Sequence, residues 1–303
     1  MSPPPAVSEP WTTRRLLGWM TQTFEQRDLD SPRLCAEILL SHVVGCERLR
    51  LYMDPDRPAS PAERDTLRDL VKRALAHEPI QYLTGEARFF GLDFKADRRA
   101  LIPRPCTETI VEHVLQAERA MHRDTPRERP VRIADICTGS GCIAVALATA
   151  LGKKGLPDAE LIATDISPDA LALAKENADR HAVADRIEFR EGDLLNPLSG
   201  EPPFDWILAN PPYIPDDEWD AVEANVKDHE PHLALRASPD GLPFVRTLIE
   251  HARPLLAEGG SVLIELAAKT AAAAADHARA HGWTDPEILK DHEGYDRFLR
   301  LRA

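Results

Sequence analysis

From residue 131 onward the chain alternates short apolar runs with longer amphipathic stretches, and this alternation constrains the fold more than any other feature. Residues 131–136, 160–165, 187–190, 205–209 and 261–266 read as strands. Helical spacing at 141–151, 169–181 and 243–257 separates several of them, and 193–203 reads as a loop. Parallel neighbours need a crossover connection, usually a helix, so this order predicts a doubly wound α/β unit: a parallel sheet covered on both faces. Two last strands, at 287–289 and 297–301, flank a turn at Glu293-Gly294. The alanine run 271–275 reads as one face of a helix, and no internal repeat is present.

The first part of the chain has a different period. Leu16, Leu17, Met20 and Phe24 recur at helical spacing. Ser31-Pro32 opens a second helix with Leu34, Cys35, Ile38, Leu39 and Val43 on one face, and Ser60-Pro61 a third carrying Leu67, Leu70, Val71 and Leu75. Residues 88–96 then read as two short strands around a Gly turn. The rigid Leu101-Ile102-Pro103-Arg104-Pro105 stretch follows, and a helix starts at Thr107. The expected division is an N-terminal helical recognition domain (1–85), a β-hairpin linker (86–105) and a catalytic domain (106–303). Arg104 and Glu108 are expected to shape a lid or to pair with each other.

Composition narrows the function. With 37 basic and 50 acidic residues the formal charge is −13, whereas a duplex binder normally shows a basic face. No apolar run approaches the roughly 18 residues that span a bilayer. Residues 1–10 are Pro-rich, without the basic and apolar regions of a secretory signal. The five cysteines form no Cys-x-x-Cys pair, so reduced thiols in a cytoplasmic protein, and no metal site, are expected.

The chemistry sits at the ends of the strands. Asp135-Ile136-Cys137-Thr138-Gly139-Ser140-Gly141 marks the first strand-to-helix turn, where small residues let the backbone approach a ligand and free N–H groups face it. It is neither the GxGxxG fingerprint nor a P-loop. Asp165, before Ile166, ends the second strand, where a carboxylate can accept from a ribose diol or simply serve as the N-cap or Asx-turn residue before Ser167-Pro168. Asp193, before Leu194, follows the third strand and could hold an adenine amino group or be a plain loop acid. Asn210 follows the fourth. Polar residues at four successive strand ends converge on one crevice in an open α/β sheet.

Asn210-Pro211-Pro212-Tyr213 suits methyl transfer to a planar, weakly nucleophilic nitrogen. The Asn210 side-chain oxygen and the Pro211 carbonyl could accept the two hydrogens of such a nitrogen. The prolines fix φ near −65° and remove two donors, and the Tyr213 ring offers a stacking face. A polar strand end followed by a Pro-rich turn would also read this way.

Together these residues resemble the class I, Rossmann-like methyltransferases that use S-adenosylmethionine, and more narrowly the HemK/PrmC family, whose members methylate the Gln amide in the Gly-Gly-Gln loop of peptide chain release factors. The resemblance covers nearly the whole chain. It runs through Glu78-Pro79-Ile80-Gln81-Tyr82, Arg88-Phe89-Phe90-Gly91, Ile102-Pro103-Arg104, Thr164-Asp165, the Asn210 tetrapeptide, His229-Glu230-Pro231, Asp240-Gly241-Leu242 and Asp296-Arg297. It implies a cofactor site from Cys137, Thr138, Gly139, Ser140, Gly141, Asp165, Ile166, Asp193, Leu194 and Asn210. It implies catalysis by Asn210, Pro211 and Tyr213, with Pro212 also on the substrate, and a release factor as partner. Cys137 replaces the first Gly usual in the cofactor loop, and with Cys142 it resembles a sister group acting on a ribosomal protein Gln. Cys106 stands where an acidic residue is usual. A further class, adenine-N6 methylation of nucleic acid, shares the tetrapeptide but is opposed by the acidic charge.

Overall fold

The computed structural model describes residues 10–124, 127, 129–153, 155–237 and 239–303. Apart from Pro10, the Pro-rich leader lies outside them. Two compact units emerge, the first ending at Gly85 and the second running Glu86–Ala303.

The first unit is helical: α1 Thr13–Glu25, α2 Pro32–Val44, α3 Arg48–Met53, α4 Pro61–Ala74 and α5 Ile80–Thr84. Ser60 opens α4 with a reciprocal capping box, its hydroxyl accepting from Glu63 N while the Glu63 carboxylate accepts from Ser60 N. Ser31 makes no such side-chain cap. Leu16, Met20, Phe24, Leu39, Leu67 and Val71 share one core. On α2 the expected face is largely in the core: Leu39 is buried with Ala36 and Leu40, Cys35 and Val43 pack against them, and Leu34 is exposed. Small α3 and α5 went unread because neither has two full turns of apolar period.

The second unit opens with the hairpin β1 (Glu86–Phe89) and β2 (Leu92–Lys95). Phe90 and Gly91 both take positive φ, the conformation that a two-residue turn needs to match strand twist. The hairpin is built into this unit. Fully buried Asn177 accepts from Lys95 N (2.7 Å) and donates to the carbonyls of Lys95 and Ser140. Helix α6 (Glu108–Asp124) follows, then β3 Val131–Ile136, α7 Cys142–Ala150, β4 Ala159–Asp165, α8 Pro168–Arg180, β5 Ile187–Glu191, β6 Phe204–Ala209, α9 Ala224–Lys227, α10 Pro243–His251, β7 Leu256–Glu265, α11 Ala271–Ala280, β8 Glu287–Lys290 and β9 Asp296–Arg302.

The seven-stranded sheet has the order β5-β4-β3-β6-β7-β9-β8, parallel from β5 to β7, with β9 antiparallel to β7 and β8. Its two faces carry two cores, as the period-2 pleat requires. Ile133, Trp206, Leu208 and Leu263 pack with α6 and α7, while Ala134, Ile207, Ala209, Val262 and Ile264 pack with α10 and α11. The helix expected through residue 257 stops at His251, and β7 begins at Leu256. Pro254 lacks the N–H that a continuing helix uses. Gly260 lets β7 pass β6, since a Cβ there would sit 2.8 Å from the Phe204 carbonyl oxygen. Among the described residues, no helix is long and apolar enough to cross a membrane.

Beneath α6 the fully buried Glu118 accepts from Trp206 Nε1 (2.7 Å) and pairs with Arg127 (2.9 Å), which also reaches Asp205. Removing a partner from a buried pair leaves an uncompensated charge. Glu118→Ala is expected to lower unfolding free energy by about 3 kcal/mol in urea denaturation.

Candidate functional site

Strand register assembles the site. Ile136 is paired with Thr164 on one side and Ala209 on the other, and Ala209 with Ile264. The residues that follow, Cys137, Asp165, Asn210 and Glu265, are therefore side by side along one edge. The chain runs outward from β3 through β4 to β5, then returns to the other side of β3 for β6 and β7, so this edge is the switch point of the sheet.

A cleft opens there. Cys137, Thr138, Gly139, Ser140, Asp165, Ile166, Asp193, Leu194, Asn210 and Pro212 all line it. Gly141, Pro211 and Tyr213 do not. Gly141 has φ +79°, and a Cβ there would lie 3.0 Å from Ala174 Cβ, so its glycine is required where α7 starts against α8. Tyr213 is largely buried, and burial raises its phenol above the ordinary range. Its carbonyl oxygen would lie 2.6 Å from a Cβ at position 241, which explains the glycine of Asp240-Gly241-Leu242.

The loop after β3 holds itself open. Asp135, fully buried, accepts from the Thr138 hydroxyl (2.6 Å) and Ala144 N (3.2 Å). Burial pushes its carboxyl up to about 7. Cys137 takes φ +59°, the left-handed region where glycine rests without strain, which accounts for the glycine usual at this position. Asp165 accepts from Gly139 N (2.8 Å) and Ser167 N (3.0 Å), so it braces the loop and closes an Asx-type turn before α8. Ser167, not Asp165, caps α8. Burial raises the Asp165 carboxyl, opposed by its backbone donors. Each oxygen keeps lone-pair capacity toward the cleft. Ser140 Oγ is buried on the cleft wall and has no partner among the described residues. A polar, small-residue cradle with an unspent hydroxyl and a fixed carboxylate fits a nucleoside-type cofactor.

Asn210 is held from behind. Its Nδ2 donates to Thr107 Oγ1 (3.3 Å), and the Thr107 hydroxyl donates to the Glu265 carboxylate (2.7 Å). Cys106 Sγ lies 3.7 Å from the same carboxylate. Thr107 and Glu265 escape a reading by sequence because the contact spans 158 positions. Only a polar residue ending an apolar strand signals Glu265. The partner of Glu230, in the His229-Glu230-Pro231 segment, is equally hidden from spacing. Almost wholly buried, Glu230 accepts from Ile102 N (3.0 Å) and pairs with Arg104, fixing 101–104 as a cleft wall. Arg104 and Glu108 therefore do not pair: Glu108 accepts instead from Phe90 N (2.7 Å). Away from the cleft, Glu250 on α10, His277 on α11 and His281 just past its end bring three ligand-type atoms within 4.8 Å of one another.

An open α/β sheet with a small-residue loop and acidic strand ends at its switch point is the framework of a nucleoside-cofactor enzyme. The comparisons agree. Residues 15–85 match the model for the PrmC N-terminal domain, and residues 114–235 match that for the methyltransferase small domain. The chain is 39% identical to the release factor glutamine methyltransferase of Chlorobaculum tepidum, over 97% of this chain and 98% of that one. It is 40% identical to that of Moorella thermoacetica, over 96% and 99%. Among solved structures it is similar to the human Mettl16 catalytic domain bound to an RNA hairpin (TM-score 0.53, 19% identity, covering 70% of this chain and 75% of that one), a likeness of fold alone. The chain belongs to the release factor glutamine methyltransferase family.

Two outcomes follow from this geometry. Gly141→Ala is expected to lose about 1–3 kcal/mol of stability, measured by thermal denaturation, through forced φ and overpacking against Ala174. A carboxyl whose folded pKa is raised contributes stability below its unfolded value of 3.8 that is lost as pH climbs through about 7. Asp135→Asn should therefore gain Tm relative to the parent as pH rises across that window, with parallel Tm curves as the contrary result.

Proposed function

We propose that this chain transfers a methyl group from S-adenosylmethionine to the side-chain amide nitrogen of the Gln in the Gly-Gly-Gln loop of a peptide chain release factor, in the cytoplasm. The observation that carries the reading is Asn210 on the cleft wall beside the 137–140 loop, its NH₂ engaged by Thr107. Its Oδ1 is then left for a substrate donor. Full-length identity to release factor glutamine methyltransferases supports the same substrate.

S-adenosylmethionine, when bound, supplies an electrophilic methyl carbon. The protein's own part is to bind, orient and exclude water. Asp165 and Asp193 would accept from the cofactor's ribose and adenine, with Ser140 Oγ and the 137–140 backbone at its side. Asn210 Oδ1 and the Pro211 carbonyl would accept the two N–H bonds of the substrate amide, turning its nitrogen toward the cleft. Pro212 would fix the angle of entry, and Tyr213 would pack beside the arriving loop. Among the described residues, the cleft lining contains no His or Lys to act as a base. None is required if the amide sheds its proton after transfer. Neutral Asn210 orients the amide without adding a buried charge. The helical domain, 1–85, would grip the body of the release factor.

Asn210→Ala is expected to lower turnover on a purified release factor at least ~100-fold, the scale of losing one reaction-centre hydrogen bond. Cofactor affinity by calorimetry should stay near that of the parent. Near-parental turnover would overturn the assignment.

A further inference from the structure

The Asn210 amide has two faces, and only one makes it useful. A substrate NH₂ needs an acceptor, so Oδ1 must point to the cleft and Nδ2 away from it. Asn210 Nδ2 meets Thr107 Oγ1 at 3.3 Å, and Thr107 Oγ1 meets Glu265 Oε2 at 2.7 Å. A hydroxyl has one proton to give. While that proton goes to Glu265, Thr107 turns lone pairs to Asn210, which only the NH₂ can satisfy. If Glu265 became the donor, the Thr107 proton would be free to turn to Asn210. The amide could then reverse, setting NH₂ against NH₂ in the cleft.

We propose that Glu265 is a positioning residue that acts through Thr107 to hold Asn210 as an acceptor for the substrate amide. The proposal rests on the reading of Asn210 given above. The sheet register supports it, since Ile264 pairs with Ala209 and so sets Glu265 beside Asn210. So does cost: Glu265 is fully buried at a strand end, and a buried carboxylate is destabilising unless its contacts serve it. The groups that face it are Cys106 and Thr107 before α6, Tyr213 after β6, Arg104 (paired with Glu230) and Arg297 on β9, which is 3.0 Å from Asp291. Burial raises the Glu265 carboxyl, while the Thr107 bond and the two arginines oppose it. Protonation would make Glu265 a donor, so kcat/KM should fall on the acid side at a pH above the ordinary carboxylate range.

The test uses the full-length enzyme, S-adenosylmethionine and a purified release factor, comparing Thr107→Val, Thr107→Ser and Glu265→Gln with Asn210→Ala. Thr107→Val keeps shape and removes the hydroxyl, so it reports even if Glu265→Gln fails to fold. Expected for Thr107→Val and Glu265→Gln is a fall in kcat of about tenfold or more, the scale of a small misplacement, at parental cofactor affinity. Thr107→Ser should restore most of the rate, and the acid limb of the parent pH profile should flatten in Thr107→Val. Parental turnover or an unchanged acid limb in Thr107→Val, with Asn210→Ala inactive, would overturn the role of Glu265 alone. An active Asn210→Ala would overturn this proposal together with the reading beneath it.

Discussion

The pairing of Ile136 with Thr164 on one side and Ala209 on the other is the constraint on which the site depends. It aligns the ends of three parallel strands to the same residue. Because side chains alternate along each strand, a slip of one position would exchange the faces of the sheet and carry Asp165 and Asn210 out of line. The two cores hold that register, with Ile133 and Leu208 facing one helical layer and Ile136 and Ile207 the other. Function follows from register: Cys137, Asp165 and Asn210, at the ends of three neighbouring strands, face the cleft.

Around that edge, the buried polar groups form one connected design. Asp135 holds the loop after β3, Asp165 braces it from β4, Glu230 fixes the 101–104 wall, and Glu265 stands behind Asn210. Glu230 and Glu265 are buried and take their donors from segments more than a hundred positions away, whereas Asp135 and Asp165 accept from the loop and turn beside them. Such groups contribute little net stability compared with apolar packing, but they specify geometry. The chain thus accepts desolvation where the cleft needs fixed acceptors. Glycine appears on the same logic: Gly141 admits α8, and Gly241 admits the Tyr213 carbonyl.

Much of this was legible in the sequence because it is local. Strand–helix alternation announces the sheet, and a polar residue closing each apolar run announces the cleft. Asp165, Asp193 and Asn210 could be named for that reason. Contacts between remote segments were not legible. Thr107 looks like a helix start and Glu265 like a strand end, and nothing in their spacing joins them. The partner of Arg104 was missed for the same reason, since Glu230 lies 126 positions away. On α2 the expected face reaches the core through Leu39, Cys35 and Val43, and Ala36 and Leu40, rather than Leu34, complete the stripe. The end of α10 was overrun because apolar residues continue past Pro254, although the helix cannot.

The cleft, with the neutral Asn210 amide on its wall, takes a protein glutamine as acceptor. The direct measurement supplies methyl-labelled S-adenosylmethionine to the full-length protein with purified release factors, ribosomal proteins and DNA together, and locates the label by peptide mass spectrometry. The account predicts label on a release factor alone, at one Gln within Gly-Gly-Gln. Label on a ribosomal protein or on adenine instead, with the release factor unmodified, would contradict it.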